Sequence, residues 1–127
     1  MLRTILHSKI HRAKVTQSDL NYVGSITIDR DLMDASGLIE NEQVQVLDIT
    51  NGNRLTTYVI EGPRASGIIA INGAAAHLVN VGDLVIICSF AQLNEIELQN
   101  HKPQIVLVDE HNKVTRMLSR EEALTTV

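Results

Sequence analysis

Aromatic residues are nearly missing from this chain, whose 127 residues include two Tyr, one Phe and no Trp. Tyr22, Tyr58 and Phe90 are too few to build a stacking platform for single-stranded nucleic acid. Basic charge is scarce as well. Eleven Lys and Arg against fifteen Asp and Glu give a net charge of −4, so no positive field for phosphates is evident and nucleic acid is excluded as a partner. Cysteine is reduced to Cys88, which rules out an intrachain disulfide, and its flanks LVIICSF read as a buried strand. No apolar run approaches the roughly 18 residues that a bilayer-spanning helix needs. The opening MLRTILHSKIHRAK lacks the unbroken apolar centre of a secretory signal. The expectation is a cytoplasmic protein with no membrane partner; a transit-like amphipathic helix at the start is the minority alternative.

What is present is ordinary for a folded domain, with 44% hydrophobic and 20% charged residues. The core must therefore be aliphatic, and the length suits a single domain over 1–127.

The first fourteen residues fit two periods. Leu2, Ile5, Leu6 and Ile10 could share a helix face, whereas Ile5, His7, Lys9, His11 and Ala13 could share a strand face. After the polar stretch Thr16–Asn21, Gly24–Ile28 reads as a short strand. Asp29–Gly37 then has the acidic start and glycine stop of one short helix. Val44, Val46 and Ile49 lead into Asn51-Gly52, and Leu55–Ile60 follow, which is a strong hairpin signal. Ile68–Ile71 form another short strand, and Gly73–His77 a tight turn entering a helical turn. Leu84–Phe90, Ile105–Val108 and the region of Val114 and Met117 complete about seven strands. In the tail, SREEAL carries the signature of a helix start. Many short strands with little helix predict a β-barrel, which removes exposed sheet edges.

The usual catalytic signatures are missing: no Walker loop, GxGxxG, HExxH, GxSxG or CxxC occurs. His7 and His11 have metal-ligand spacing only on a helix, and no carboxylate or thiolate lies beside them, so no metal is expected. His101 and His111 read as solvated.

A set of short motifs in fixed order is more informative. It runs from Lys9 with His11-Arg12 and Lys14-Val15-Thr16 through Tyr22-x-Gly24-Ser25, Ile28-Asp29 and Thr50-Asn51-Gly52. It continues with Arg54, Thr57-Tyr58, Ile71-Asn72-Gly73-Ala74-Ala75-Ala76-His77, Val81-Gly82-Asp83 and Val85-Ile86-Ile87. Singly these are bland: Lys9 and Arg54 as solvated charges, Thr57 and Tyr58 as strand residues, Asn72-Gly73 as a turn. Together, over roughly residues 1 to 90, the chain resembles the pyruvoyl-dependent aspartate 1-decarboxylases. Residues 91–127 carry no such motif and are assigned no function.

The resemblance implies a mainly β fold, a double-psi β-barrel with short helices, made as a proenzyme. The Ser25 hydroxyl would attack the Gly24 carbonyl, and the chain would part between Gly24 and Ser25 into a beta chain, 1–24, and an alpha chain, 25–127. Residue 25 would become a pyruvoyl cofactor, with no external cofactor and no metal. A residue without a Cβ before the serine would ease the strained geometry, and Thr57 would steady the developing oxyanion. The pyruvoyl ketone would form a Schiff base with the amine of L-aspartate and act as the electron sink that decarboxylation requires. Tyr58 would return a proton to the carbanion. Lys9 and Arg54 would bind the two carboxylates, in an order left open. Asn72, Gly73, Ala74 and Ala75 would present backbone groups and small side chains to the substrate, alongside Thr57. His11 and Tyr22 are supporting candidates, each equally readable as a hydrogen-bonding group at a subunit boundary. The products would be β-alanine and CO2, serving pantothenate and coenzyme A synthesis, with a homotetramer as the active form. Whether a helper protein assists maturation stays open. Two rivals stand beside this reading: a non-catalytic double-psi barrel acting as an interaction module, and a pyruvoyl decarboxylase of a related acid such as glutamate.

Overall fold

The computed structural model describes residues 1–126, in which strands account for most of the regular structure. In chain order the elements are β1 (Arg3–Lys14), β2 (Gln17–Asp19), β3 (Ser25–Asp29), α1 (Arg30–Ser36), β4 (Gln43–Asp48) and β5 (Arg54–Gly62). They continue with β6 (Ile69–Asn72), a 3-10 turn (Gly73–His77), β7 (Leu84–Leu93), α2 (Glu95–Leu98), β8 (Gln104–Val108) and β9 (Val114–Leu118). The nine strands hydrogen-bond in the order β2-β6-β3-β5-β4-β7-β1-β8-β9. The fold is thus mainly β with short helices, as expected.

Pairing is mixed. β1 runs antiparallel to β7 and parallel to β8, while β3 runs parallel to β5 and antiparallel to β6. Parallel partners need crossovers between them rather than tight hairpins, and those crossovers bring segments far apart in sequence to one core. That core is aliphatic: Ile10, Ile26, Ile28, Val46, Ile69, Ile71 and Ile87 are all fully buried. Truncating one of these isoleucines to alanine should cost about 2–5 kcal/mol.

The opening segment is a strand, β1, and this settles the competition between periods. The strand carries two irregularities, between Leu6 and Ser8 and between Ile10 and Ala13. At the second, Arg12 takes a left-handed φ of 63°. An extra residue in one strand breaks the alternation of faces. Ala13 consequently lies in the core with Ile10, not on the face of Lys9 and His11 where strict alternation would place it.

The helix over 29–37 forms as its caps demand. The Asp29 carboxylate accepts from the Asp31 N–H at 2.8 Å, and Gly37 closes the helix at φ 79°. The hairpin forms as well, with β4 and β5 joined through Gly52 at φ 81°. Two elements depart from expectation. β2 is a strand inside the polar stretch, held by parallel pairing to β6. The tail makes a turn at Ala123-Leu124 in place of a helix, because so short a segment gains too little from its own hydrogen bonds. A full capping box occurs instead at α2, between Asn94 and Glu97. His101 is not simply solvated: half-buried, it places Nε2 2.9 Å from the Leu6 carbonyl oxygen, with its ring 6.0 Å from that of His7. His111 is exposed, as its polar surroundings suggest.

Candidate active site

Ser25 opens β3 directly across from Asn72 on β6. The residue is 5% exposed, and its φ of 82° is a left-handed conformation that a residue with a Cβ rarely adopts. Such a backbone costs on the order of 1–3 kcal/mol and persists only where the surroundings impose it. The Ser25 hydroxyl donates to the Gly24 carbonyl oxygen, so the hydroxyl lies against the peptide group that precedes it.

The neighbouring glycines divide the labour differently from expectation. A Cβ added to Gly24 would meet nothing nearer than the Asn72 carbonyl oxygen at 4.0 Å, so space does not require glycine there. Gly73, at φ 69°, is the constrained one: a Cβ would stand 2.9 Å from the Gly24 Cα and 3.8 Å from the Tyr22 carbonyl oxygen. The close approach of the 22–24 segment thus depends on Gly73, while the backbone strain sits on Ser25.

A cavity of about 360 Å³ opens beside Ser25, lined by Gly24, Ser25, Leu55, Thr56, Thr57, Asn72, Ala74, Ala75 and Leu78. The structure thereby gathers Gly24, Ser25, Thr57, Asn72, Ala74 and Ala75, with Gly73 packed beneath Gly24. Leu55, Thr56 and Leu78 on the cavity wall, and Gln17 behind Asn72, are not legible as site residues. Gln17 Nε2 donates to Asn72 Oδ1 at 3.2 Å. The Leu78 carbonyl accepts from the side-chain amides of Asn51 and Asn53 at 3.0 and 2.9 Å, tying the cavity wall to the β4–β5 turn.

Other expected site residues lie elsewhere in the same chain. Leu55, Thr57 and Val59 alternate along β5 with the more exposed Arg54, Thr56 and Tyr58; Thr56 reaches the cavity, but neither Arg54 nor Tyr58 lines it. Tyr58 is 43% exposed. Arg54 borders a separate hollow of about 250 Å³ together with Leu47, Asp48, Asn53 and Ile86. Tyr22 lends only its backbone to the contact with Gly73, and its side chain is exposed.

Lys9 stands on β1 opposite Cys88. Its ammonium is 2.9 Å from the Glu121 carboxylate, and its side chain is only 14% exposed. His11, half-buried nearby, has neither ring nitrogen hydrogen-bonded among the described residues. Burial lowers its pKa first, the Lys9 and Arg12 charges lower it further, and Glu121 partly opposes them. Burial likewise raises the Cys88 thiol.

Beneath the β4–β5 turn, the buried Asp48 carboxylate accepts from the Thr50 N–H at 2.8 Å and the Asn51 N–H at 3.2 Å. Its pKa is raised to about 6, chiefly by burial and then by the neighbouring Asp83 carboxyl group. An Asp just ahead of Asn-Gly is the sequence signal that could have marked this turn support. Among the described residues no cluster of three His, Cys, Asp or Glu side chains could hold a metal ion. No described helix is long and apolar enough to cross a membrane.

The chain is similar to known proteins over nearly its whole length. A family described as Aspartate decarboxylase matches residues 1–115, well past the stretch of 1 to 90 that the motifs mark. Aspartate 1-decarboxylase of Bacillus licheniformis is 52% identical over 125 residues, covering 98% of each chain. The same-named protein of Caldicellulosiruptor saccharolyticus is 57% identical over 122 residues, covering 96% of this chain and 95% of the relative. Among solved structures, the computationally designed msDPBB_sym2 protein aligns with a TM-score of 0.41 and 18% identity, over 67% of this chain and 96% of its own. At that distance the fold rests on the strand pairing already described. By family match and by identity to these relatives, the chain belongs to the aspartate decarboxylase family.

Proposed function

We infer that this chain is a carboxy-lyase that converts L-aspartate to β-alanine and CO2, in the cytoplasm, for pantothenate and coenzyme A synthesis. Relatives named for this reaction at 52 and 57% identity support it. The observation that carries the mechanism is the Ser25 hydroxyl hydrogen-bonded to the Gly24 carbonyl oxygen, at a buried residue in a left-handed conformation.

In the cleavage, the Ser25 oxygen bonds to the Gly24 carbonyl carbon while the C–N bond between the two residues breaks, turning amide to ester. Thr57, on the same cavity wall, is the donor assigned to the oxyanion. Loss of the residue 25 Cα proton then breaks the Cβ–O bond and frees Gly24 as the C-terminal carboxylate of fragment 1–24. Water replaces the nitrogen left on residue 25, ammonia departs, and fragment 25–127 begins with a pyruvoyl group. The surroundings fit that group: residue 25 faces a hollow walled by Ala74 and Ala75, with the Asn72 amide beside it. Once formed, the pyruvoyl group supplies the electron sink for the pair left when CO2 departs.

The remaining work falls to other side chains. Arg54 grips one substrate carboxylate through its planar fork, Lys9 meets the other as a point charge, and Tyr58 delivers the proton that completes β-alanine. His11 stands near Lys9 as a supporting group, and Tyr22 supports the site only through its backbone contact with Gly73. Arg54 and Tyr58 share the more exposed face of β5, and neither lines the Ser25 cavity of its own chain. A second copy presenting that face would complete the site, and this supports a homotetramer with sites between subunits. A double-psi β-barrel is the fold the family implies for this arrangement.

Incubation of purified, matured protein with L-aspartate should yield β-alanine and CO2 in equal amounts. Borohydride added with aspartate should label fragment 25–127. No β-alanine, or stronger labelling with glutamate than with aspartate, would overturn this reading. Maturation of the purified chain with nothing added would show that no helper protein is required.

A further inference from the structure

We propose that Gln17 is a positioning residue that holds the Asn72 amide with its nitrogen, rather than its oxygen, toward the Ser25 cavity. β2 lies parallel to β6, with Gln17 opposite Ala70 and Asp19 opposite Asn72. This register lets Gln17 Nε2 reach Asn72 Oδ1 at 3.2 Å. Asn72 is 5% exposed, pairs with Ser25 across β3 and β6, and lines the cavity beside it. A side-chain amide has an acceptor end and a donor end, and burial makes their orientation consequential. With Oδ1 engaged by Gln17, Asn72 Nδ2 has no hydrogen-bond partner among the described residues and is free to donate into the cavity.

The oxygens that would occupy this cavity are acceptors: the carbonyl of the group made from Ser25, and the carboxylates of the substrate. A donor stabilises them, and an amide oxygen turned the same way would repel them. Gln17 itself does not line the cavity, so it acts through Asn72. The inference rests on the decarboxylase reading for what the donor serves, but the orientation itself does not.

Gln17→Glu separates orientation from packing. An ionised carboxylate can only accept, so Asn72 must turn its nitrogen toward residue 17 and its oxygen toward the cavity. The expected result is a kcat at least about tenfold below that of the parent near neutral pH. The ratio of variant to parent kcat should then climb as pH falls into the ordinary carboxylate range, about 4 to 5, because a protonated Glu carboxyl donates again. An unchanged kcat, or a deficit that is the same at every pH, would overturn the proposal. NMR of the side-chain amide protons in the purified parent protein, matured or not, tests the orientation without turnover. The Gln17 amide should be protected from exchange and the Asn72 amide accessible; the reverse, or an unprotected Gln17, would contradict it. If the parent protein lacks decarboxylase activity, the functional reading fails while the NMR result still decides the orientation.

Discussion

The Gly24–Ser25 region and the outer face of β1 and β5 are both built from expected site residues, yet they differ in completeness. Around Ser25 one chain supplies the proposed nucleophile, the carbonyl it would attack, the candidate oxyanion donor and a supporting glycine. Arg54, Lys9 and Tyr58, proposed to bind the carboxylates and deliver the proton, do not line that cavity, and Lys9 is covered by the chain's own Glu121. The contrast separates two chemistries. Cleavage of a chain at its own backbone is intramolecular and needs only local geometry, which a strained residue and a close glycine supply. Turnover of a small dianion needs cations, a proton donor and exclusion of water, which in the proposed assembly a second copy's surface would supply.

Changes on the first side should stop everything, and changes on the second should spare cleavage. Ser25→Ala is expected to abolish both fragment formation and β-alanine production, as read by gel and by product assay. Tyr58→Phe should leave fragment formation at the parent rate and lower kcat by about 10²- to 10⁴-fold; equal loss of both would erase the distinction between the regions. Gly73→Ala should slow cleavage and lower folding stability by about 1–3 kcal/mol, since it places a Cβ against Gly24 at a left-handed φ. Chemical denaturation of the unmatured chain would measure the stability, and a time course of fragments the rate.

Smaller effects belong to the outer face. Glu121→Gln removes the carboxylate paired with Lys9 and should lower the KM for aspartate by about two- to fivefold, in proportion to one partly exposed ion pair, with little change in kcat. An unchanged KM would mean that Lys9 does not meet substrate. Asp48 supplies the mildest test. Its folded pKa of about 6 lies above its ordinary value of 3.8, so the folded chain holds an additional proton between those values. The stabilisation is complete below the unfolded value and fades as pH rises through about 6. Melting temperature should therefore fall over that window, and Asp48→Asn should flatten the fall; an unaltered profile would show that Asp48 is not its source.

How far the sequence reveals this molecule depends on the range of the interactions involved. The helix capped by Asp29 and Gly37 and the hairpin at Asn51-Gly52 are legible because their signals lie within a few residues. β2 is not, since Gln17-Ser18-Asp19 has no apolar alternation and becomes a strand only by pairing with β6. Ala13 is assigned to the wrong face because one residue, Arg12, bulges and resets the alternation. SREEAL carries a genuine local cap signal, but there Glu121 contacts Lys9, 112 residues away, and no helix forms. In the site, Ser25, Thr57, Asn72, Ala74 and Ala75 are recognised through the family resemblance and come together. The bond from Gln17 to Asn72 and those from Asn51 and Asn53 to the Leu78 carbonyl are products of strand order that no local pattern encodes.

The most direct test of the account is the intact mass of the purified chain followed over time. It predicts that the full-length species gives way to fragments 1–24 and 25–127. The larger should carry an N-terminal pyruvoyl group, lighter by about 17 mass units, the mass of ammonia, than the same fragment beginning with serine. A single uncleaved species after prolonged incubation, or a larger fragment that retains an ordinary serine at its N-terminus, would contradict it.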